Sequence, residues 1–146
     1  MNISTRRRSG IAAAAILFCC LEATGTALAH PDSSAVGFQS PSGNIVCVAR
    51  AGGVDCDIAE RTYAAPPRPD TCHLNFGSRI LLTPGAAPYF DCYGQSLRDR
   101  PLPTLDYDRS LRIGSVDCTS AASGVTCTDT DSGHNFTLSR EFYQMK

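Results

Sequence analysis

Six of the eight cysteines in the chain have the spacing of a disulfide framework rather than that of a metal site. They contain no Cys-x-x-Cys pair of the kind that binds zinc. An even number of cysteines in an exported chain is typical of disulfide bonding, so we predict three disulfides, no metal and no cofactor. The six cysteines are Cys47, Cys56, Cys72, Cys92, Cys118 and Cys127.

Two segments that share one cysteine template predict how the six cysteines pair. Cys47 and Cys56 are separated by eight residues, as are Cys118 and Cys127, and each pair encloses Gly-Val at the same offset. Apolar and polar residues alternate around both pairs, which predicts two β-hairpins with each cysteine opposite its mate. Opposed residues at a non-hydrogen-bonded position lie about 4.5 Å apart at Cα, a distance that a disulfide spans. The predicted disulfides are Cys47–Cys56, Cys118–Cys127 and, by elimination, Cys72–Cys92.

The same alternation sorts the side chains of the first hairpin onto two faces. Val54, Cys56 and Ile58 share one face, and Asp55 and Asp57 fall on the other. Such alternation is the mark of a half-buried strand. We therefore expect the two aspartates to face away from the core, on the solvated side of the hairpin.

The chain contains no residues with both the types and the spacing of a catalytic set. His134 stands close to Asp131 and Ser132, but neighbours along a strand point to opposite faces, so adjacency alone does not make a triad. We predict no catalytic residues and interpret His134 as a polar turn residue. Residues 129–133 resemble a fragment of a calcium loop but lack its full set of oxygen ligands, which favours a solvated turn.

The closing segment of the chain is where we first expect a binding surface. His134, Arg140 and Tyr143 bring a titratable ring, a guanidinium and an aromatic ring to one short stretch. A guanidinium holds a carboxylate or a phosphate at two points, which makes Arg140 the natural clamp. The alternative is that Arg140 pairs with an acidic neighbour and that Tyr143 packs on the core.

The N-terminal residues have the three-part layout of a secretory signal peptide. Arginines at positions 6–8 precede an uncharged apolar run over 11–21, and Ala-Leu-Ala ends at Ala29. The run is shorter than the ~20 residues that a membrane helix needs. We predict a signal peptide over 1–29. The rest of the chain divides into a flexible segment over residues 30–37 and a single disulfide-bonded β domain over residues 38–146.

The charge and the export layout together limit the partners of the mature chain. Lys and Arg number 13 against 14 Asp and Glu, for a net charge of −1. A chain without a basic surplus has little attraction for phosphate backbones. We predict no nucleic-acid partner and no membrane span in the mature chain, and both the general secretory and the twin-arginine export routes fit the leader.

Three strings of residues carry a resemblance to a known family. Residues 38–47 read Phe-Gln-Ser-Pro-Ser-Gly-Asn-Ile-Val-Cys, residues 54–58 read Val-Asp-Cys-Asp-Ile, and residues 133–140 read Gly-His-Asn-Phe-Thr-Leu-Ser-Arg. Together with the six cysteines, they resemble a family of secreted actinobacterial proteins, abundant in mycobacteria, that is known only as a domain of unknown function. The resemblance covers residues 38–143 and implies export and this architecture, but no reaction, substrate or partner. Asp108 stands where that family usually has glycine.

We expect an all-β fold of six to eight short strands, built as a small disulfide-stapled sandwich or open barrel with two related hairpins. Loops on a rigid frame suit recognition. The predicted function is that of a secreted or cell-envelope module, structural or binding and without catalysis, whose partner is a protein, a glycan or a small ligand. The alternatives are a secreted enzyme inhibitor that presents residues 64–70 as a stiff exposed loop, and a small hydrolase.

Overall fold

Two antiparallel sheets of five strands each organise the described part of the chain, which comprises residues 36–50, 52–99 and 101–146 of a computed structural model. The predicted signal peptide over 1–29 and nearly all of the segment over 30–37 lie outside the described residues. Within the described residues, no helix is long and apolar enough to cross a membrane.

Each sheet is a meander, in which strands that are consecutive in the chain are also neighbours in the sheet. Sheet I consists of β1 (Gly37–Gln39), β2 (Ile45–Arg50), β3 (Gly53–Ile58), β4 (Arg79–Leu82) and β5 (Tyr89–Phe90). Sheet II consists of β6 (Arg109–Ile113), β7 (Val116–Ala121), β8 (Gly124–Asp129), β9 (Asn135–Leu138) and β10 (Tyr143–Met145). The predicted all-β class is confirmed, and the two sheets are open rather than closed into a barrel.

The number of strands exceeds the six to eight that alternation predicts. Strands β1 and β10 have three residues each and β5 has two. Alternation of polar and apolar residues needs about four residues before it can be recognised. These short strands form because a longer neighbouring strand offers them hydrogen bonds, and their own sequences do not identify them.

The two sheets repeat one arrangement around their cystines. Cys47 lies opposite Cys56 between β2 and β3, and Cys118 lies opposite Cys127 between β7 and β8. The Cα atoms of the two bonded pairs are 4.1 Å and 4.0 Å apart. Both disulfides are those that the shared template predicts. The repeat extends beyond the two hairpins, because each sheet has five strands in the same order.

The two cystines lie against each other where the inner faces of the sheets meet. All four cysteines are fully buried, and Sγ of Cys56 is 3.9 Å from Sγ of Cys127. Both sulfurs are oxidised, so this contact is one of packing and not a thiolate metal site. The largest apolar side chains of the surrounding core are Phe38, Ile45, Val54, Ile58, Ile80, Leu82, Val116, Val125, Phe136 and Leu138.

The glycine of the repeated Gly-Val dipeptide lets a neighbouring strand approach closely. A Cβ atom on Gly53 would clash with the carbonyl oxygen of Leu82 in β4, and one on Gly124 would clash with that of Leu138 in β9. Gly124 also has a φ of 134°, which side-chain-bearing residues rarely adopt. The template therefore indicates three strands of each sheet. The cysteines mark the two strands of the hairpin, and the glycine marks the close approach of the third strand.

The outer faces of the two sheets differ. Buried and half-buried residues alternate along β7 and β8 in sheet II, as predicted. In sheet I almost every residue of β2 and β3 is buried, because Leu97 and Leu102 pack on the outer face of β2. Asp55 and Asp57 face away from the core as predicted. The expectation that they are solvated is wrong, since they are only 4% and 3% exposed.

A buried carboxylate connects one end of sheet II to sheet I. Asp129, the last residue of β8, accepts hydrogen bonds from the hydroxyl of Ser132 and from the backbone N–H of Gly85, which lies in the turn between β4 and β5. These donors hold the pKa of the Asp129 carboxyl well below its usual value. Residues 130–133 are exposed, as the prediction of a solvated turn requires, but the carboxylate of Asp129 at the start of this turn is buried.

Asp108 has a backbone conformation that favours glycine. Its φ is 63°, in the left-handed region, and its N–H donates to the carbonyl oxygen of Ser120 at 2.7 Å. This hydrogen bond starts the pairing of β6 with β7. The left-handed φ is a conformation that glycine adopts without strain, in keeping with the glycine that the resemblance leads us to expect at this position.

Removal of either core cystine should destabilise the protein by a similar amount. We expect Cys47→Ala/Cys56→Ala and Cys118→Ala/Cys127→Ala each to lower the free energy of unfolding by about 2–5 kcal/mol, the range for a native disulfide in a small secreted domain. Urea unfolding of the two double variants measures the losses. A loss below about 1 kcal/mol in only one variant would contradict the equivalence of the two hairpins, and such a loss in both would contradict the stabilising role of the cystines.

Candidate functional site

The closing segment holds its three candidate residues apart. His134 precedes β9 and Arg140 follows it, so they lie at opposite ends of a four-residue strand. The ring of Tyr143 packs edge-on against the core, with its centroid 5.0 Å from that of Tyr63 and 4.8 Å from that of Phe90. These three side chains therefore do not form one surface.

Arg140 and His134 make local contacts instead. The guanidinium of Arg140 is 3.7 Å from the carboxylate of Glu60, and both side chains are exposed. Nδ1 of His134 is 3.3 Å from the carbonyl oxygen of Lys146, whereas the hydroxyl of Ser132 accepts from the backbone N–H of His134 and not from its ring. These are the contacts of the alternative interpretation, in which Arg140 pairs with an acidic neighbour.

A groove of about 590 Å³ lies on the outer face of sheet I. Outward-facing positions of β2, β3 and β4 form its floor, and the chain that follows β5 forms its wall. The charged and polar side chains that line the groove give it its chemical character. They are Arg50, Asp55, Arg79, Thr83, Asp91, Tyr93 and Gln95.

Disulfide-bonded cysteines position the acidic side chains of this face. Asp91 and Tyr93 flank Cys92, whose bond to Cys72 is the pair predicted by elimination. In the same way, two aspartates of β3 flank Cys56 in the core. The cross-links fix the backbone positions from which these acidic side chains project, which limits how the groove can rearrange.

The largest electrostatic feature of this face is the buried ion pair between Asp57 and Arg79, which lie opposite each other in β3 and β4. Nε and Nη2 of Arg79 donate to the two carboxylate oxygens at 2.6 Å and 2.9 Å. Nη2 also donates to the carbonyl oxygen of Gln95, and the N–H of Leu97 donates to Asp57. Each side chain of the pair is 4% exposed. The pair therefore holds the covering chain on the sheet.

Asp55, two residues before Asp57, is left incompletely paired. Its Oδ2 is 2.7 Å from Nε of Arg50, whose side chain is 55% exposed. Its Oδ1 is buried and has no hydrogen-bond partner among the described residues. The other two buried side-chain atoms without a partner in that part of the chain are serine hydroxyls, which carry no charge. A buried carboxylate oxygen without a donor destabilises the fold.

The electrostatic surroundings of Asp55 penalise its ionised form. Burial raises the pKa of its carboxyl above the usual value, and the charge of Asp91 adds to the rise. The guanidinium groups of Arg50 and Arg79 act in the opposite direction and do not cancel the rise. A ligand that donates a hydrogen bond to Oδ1 would relieve this penalty.

An exposed aromatic ring lies in the same cross-strand row as Asp55. Val48, Asp55, Leu81 and Tyr89 are successive partners across β2 to β5. Tyr89 is 49% exposed. Partial burial, together with the negative charges of Asp91 and Asp55, raises the pKa of the Tyr89 hydroxyl. The row therefore combines a carboxylate, an aliphatic side chain and an aromatic ring.

Sequence reasoning placed Asp55 and Asp57 on this face but did not identify a site there. The informative comparison is between the two cysteine templates, because Thr126 and Thr128 occupy the equivalent positions in the second one. Charged residues in one copy of a repeat, at positions where the other has neutral ones, indicate that one face has acquired a separate role.

A family model described as a family of unknown function (DUF6636) matches residues 15–145. No curated protein and no solved structure matches the chain significantly. The comparisons thus supply no ligand or reaction, and the groove on sheet I is the basis for assigning a function.

Two substitutions in β3 should change stability in opposite directions. Asp57→Asn leaves the buried charge of Arg79 without its partner and should lower the free energy of unfolding by about 3 kcal/mol. Asp55→Asn removes a desolvated charge and should raise the free energy of unfolding at pH 7 by about 0.5–1 kcal/mol. Urea unfolding of both variants measures these changes.

The gain from Asp55→Asn should disappear in acid. Because the folded-state pKa of Asp55 is raised, the native state retains a proton that the unfolded state releases, so ionisation of Asp55 lowers stability as pH rises. Below the usual pKa of an aspartate both states are protonated, and the variant should then match the wild type. Arg140→Ala, which removes an exposed pair, is the control and should change stability by at most about 1 kcal/mol. A destabilising effect of Asp55→Asn at pH 7 would show that Asp55 serves the fold.

Proposed function

The chain belongs to the DUF6636 family, whose function is unknown, and we propose that it is an exported binding module without catalytic activity. Its binding site is the groove on the outer face of sheet I. One observation carries the proposal: Oδ1 of Asp55 is a buried carboxylate oxygen, on a residue that lines the groove, without a hydrogen-bond partner among the described residues.

The unpartnered oxygen supports binding because buried polar atoms are nearly always satisfied in native proteins. A ligand with an N–H or O–H group would donate to Oδ1 and recover free energy that the buried carboxylate otherwise loses. Residues that destabilise the free protein in this way are characteristic of functional sites.

The arrangement around the groove supports binding rather than a reaction. Asp57 and Arg79 satisfy each other and hold the covering chain, so their charges are not available to a substrate. His134, the ring that would serve as a base, precedes a strand of sheet II and does not line the groove. A rigid frame that presents an unsatisfied acceptor fits recognition without large ordering costs.

Export is supported by the disulfides and by the leader. Three disulfides are typical of chains that fold in an oxidising compartment. The arginines at 6–8, the apolar run and Ala-Leu-Ala before residue 30 support removal of a signal peptide, and the resemblance to secreted actinobacterial proteins supports a secreted or cell-envelope location.

Protein recovered from the medium or the cell envelope of an expressing bacterium should begin at His30. Cleavage after Ala29 removes the predicted signal peptide, and intact-mass spectrometry measures the difference. A cytosolic species that retains Met1 would contradict export.

A ligand screen on the exported, disulfide-bonded protein tests the binding site. Among small amines, glycans and peptides, we expect ligands whose affinity falls about tenfold or more in Asp55→Asn, because a hydrogen bond to a buried carboxylate is lost. The same ligands should bind Arg140→Ala unchanged.

Two outcomes would contradict this proposal in different ways. Binding that is lost in Arg140→Ala and retained in Asp55→Asn would place the site on the closing segment. Turnover of an ester, a peptide or a glycan that vanishes in His134→Ala would refute the absence of catalysis.

A further inference from the structure

We propose that the ligand of the groove carries a protonated amine, whose N–H groups donate to Oδ1 of Asp55. This inference rests on the proposed function and adds to it the chemical class of the ligand. An ammonium group is common to free small amines and to lysine side chains of a protein, and the experiment below distinguishes these two sources.

The unpartnered atom of Asp55 limits the ligand to a hydrogen-bond donor. An ionised carboxylate accepts hydrogen bonds and cannot donate them. Hydroxyl, amide and ammonium groups would all satisfy Oδ1, but only a cation also compensates the charge of the carboxylate. Charge-assisted hydrogen bonds are about twice as strong as neutral ones, which favours the ammonium group.

The remaining charges of the groove also favour a cation. The carboxylates of Asp55, Asp57 and Asp91 outnumber the guanidinium groups of Arg50 and Arg79, although Arg79 lies 4.0 Å from Asp91 in addition to its pairing with Asp57. The Asp91 side chain is 28% exposed and therefore accessible from the groove. An anionic ligand would meet a net negative charge in a partly desolvated groove, whereas a cation would neutralise it.

The same face of the sheet already holds one cation in the way that we propose for the ligand. The guanidinium of Arg79 lies 4.0 Å from the centroid of the Tyr93 ring while it donates to Asp57. In the neighbouring cross-strand row, Leu81 separates Asp55 from the exposed ring of Tyr89, so these two residues lie about 10 Å apart. The likeness to Arg79 therefore concerns the carboxylate that holds the cation, and the ring of Tyr89 is placed to contact another part of the ligand.

Arg50 occupies the position for which the ligand would compete. Its side chain is 55% exposed and its Nε is paired with Oδ2 of Asp55. The Asp55 carboxylate is only 5% exposed, so an ammonium group reaches its buried Oδ1 when the exposed guanidinium of Arg50 moves aside. Removal of the guanidinium should therefore strengthen the binding of an amine, whereas removal of the carboxylate should abolish it.

The test uses two pairs of probes, and each pair consists of a protonated amine and an uncharged counterpart. N-acetyl-lysine methylamide is compared with N-acetyl-norleucine methylamide, and D-glucosamine is compared with D-glucose. Binding to the exported, disulfide-bonded protein is measured by amide chemical-shift titration at pH 7. The variants are Asp55→Asn, Arg50→Gln and, as the matched control in sheet II, Thr126→Asn. The amide spectrum of each variant shows that it is folded.

We expect at least one amine to bind with shifts centred on Gly53, Asp55, Leu81 and Tyr89, and its neutral counterpart to bind at least about tenfold more weakly. Asp55→Asn should weaken the amine by a similar factor, Arg50→Gln should strengthen it about threefold or more, and Thr126→Asn should leave it unchanged. Preference for the lysine derivative indicates a protein partner, and preference for glucosamine indicates a small amine.

Two results would overturn the inference, and they differ in what they say about the groove. Equal binding of a charged probe and its neutral counterpart, lost in Asp55→Asn, would refute the amine while leaving the groove as the binding site. Amine binding that is unchanged in Asp55→Asn would refute both the amine contact and the groove as its location.

Discussion

Two disulfides, Cys47–Cys56 and Cys118–Cys127, are the constraint on which the rest of the structure depends. They meet between the sheets, where Sγ of Cys56 lies 3.9 Å from Sγ of Cys127. Each cysteine is bonded across its own hairpin, so the register of β2 with β3 and of β7 with β8 is held covalently. A slip of one residue would turn every side chain of a hairpin to the opposite face. The cystines therefore hold the apolar residues of both hairpins inward, and with them the alternate residues outward.

The fixed register makes the two outer faces free to diverge. In sheet II the outward positions Thr126 and Thr128 remain half-exposed. In sheet I the same positions are Asp55 and Asp57, which are both buried, and the chain after β5 contacts Asp57 through the N–H of Leu97. Asp57 gains a bidentate partner in Arg79, which turns a covered carboxylate into an anchor for the covering chain. The repeated frame thus carries a chemically distinct face on one of its two sheets.

The parts of the fold that follow from local pattern could be predicted, and the parts that depend on distant chain could not. Cysteine spacing and alternation identify both hairpins, their disulfides and the inward positions. The buried environment of Asp57 includes the N–H of Leu97, which lies 40 residues later in the chain, and no local pattern carries that information. The same holds for Tyr143, whose packing against Phe90 joins strands of different sheets.

The covalent frame also explains how a destabilising carboxylate can be retained. Asp55 lies between the inward Val54 and Cys56, so the cystine that fixes the register of β2 and β3 also fixes the backbone position of Asp55 on the outer face. Asp91 is held in the same way by Cys92 on the opposite side of the groove. A backbone held at cross-linked positions has less freedom to shift toward a donor for the buried oxygen. The frame therefore allows the unsatisfied acceptor to persist in the free protein, as the proposed binding site requires.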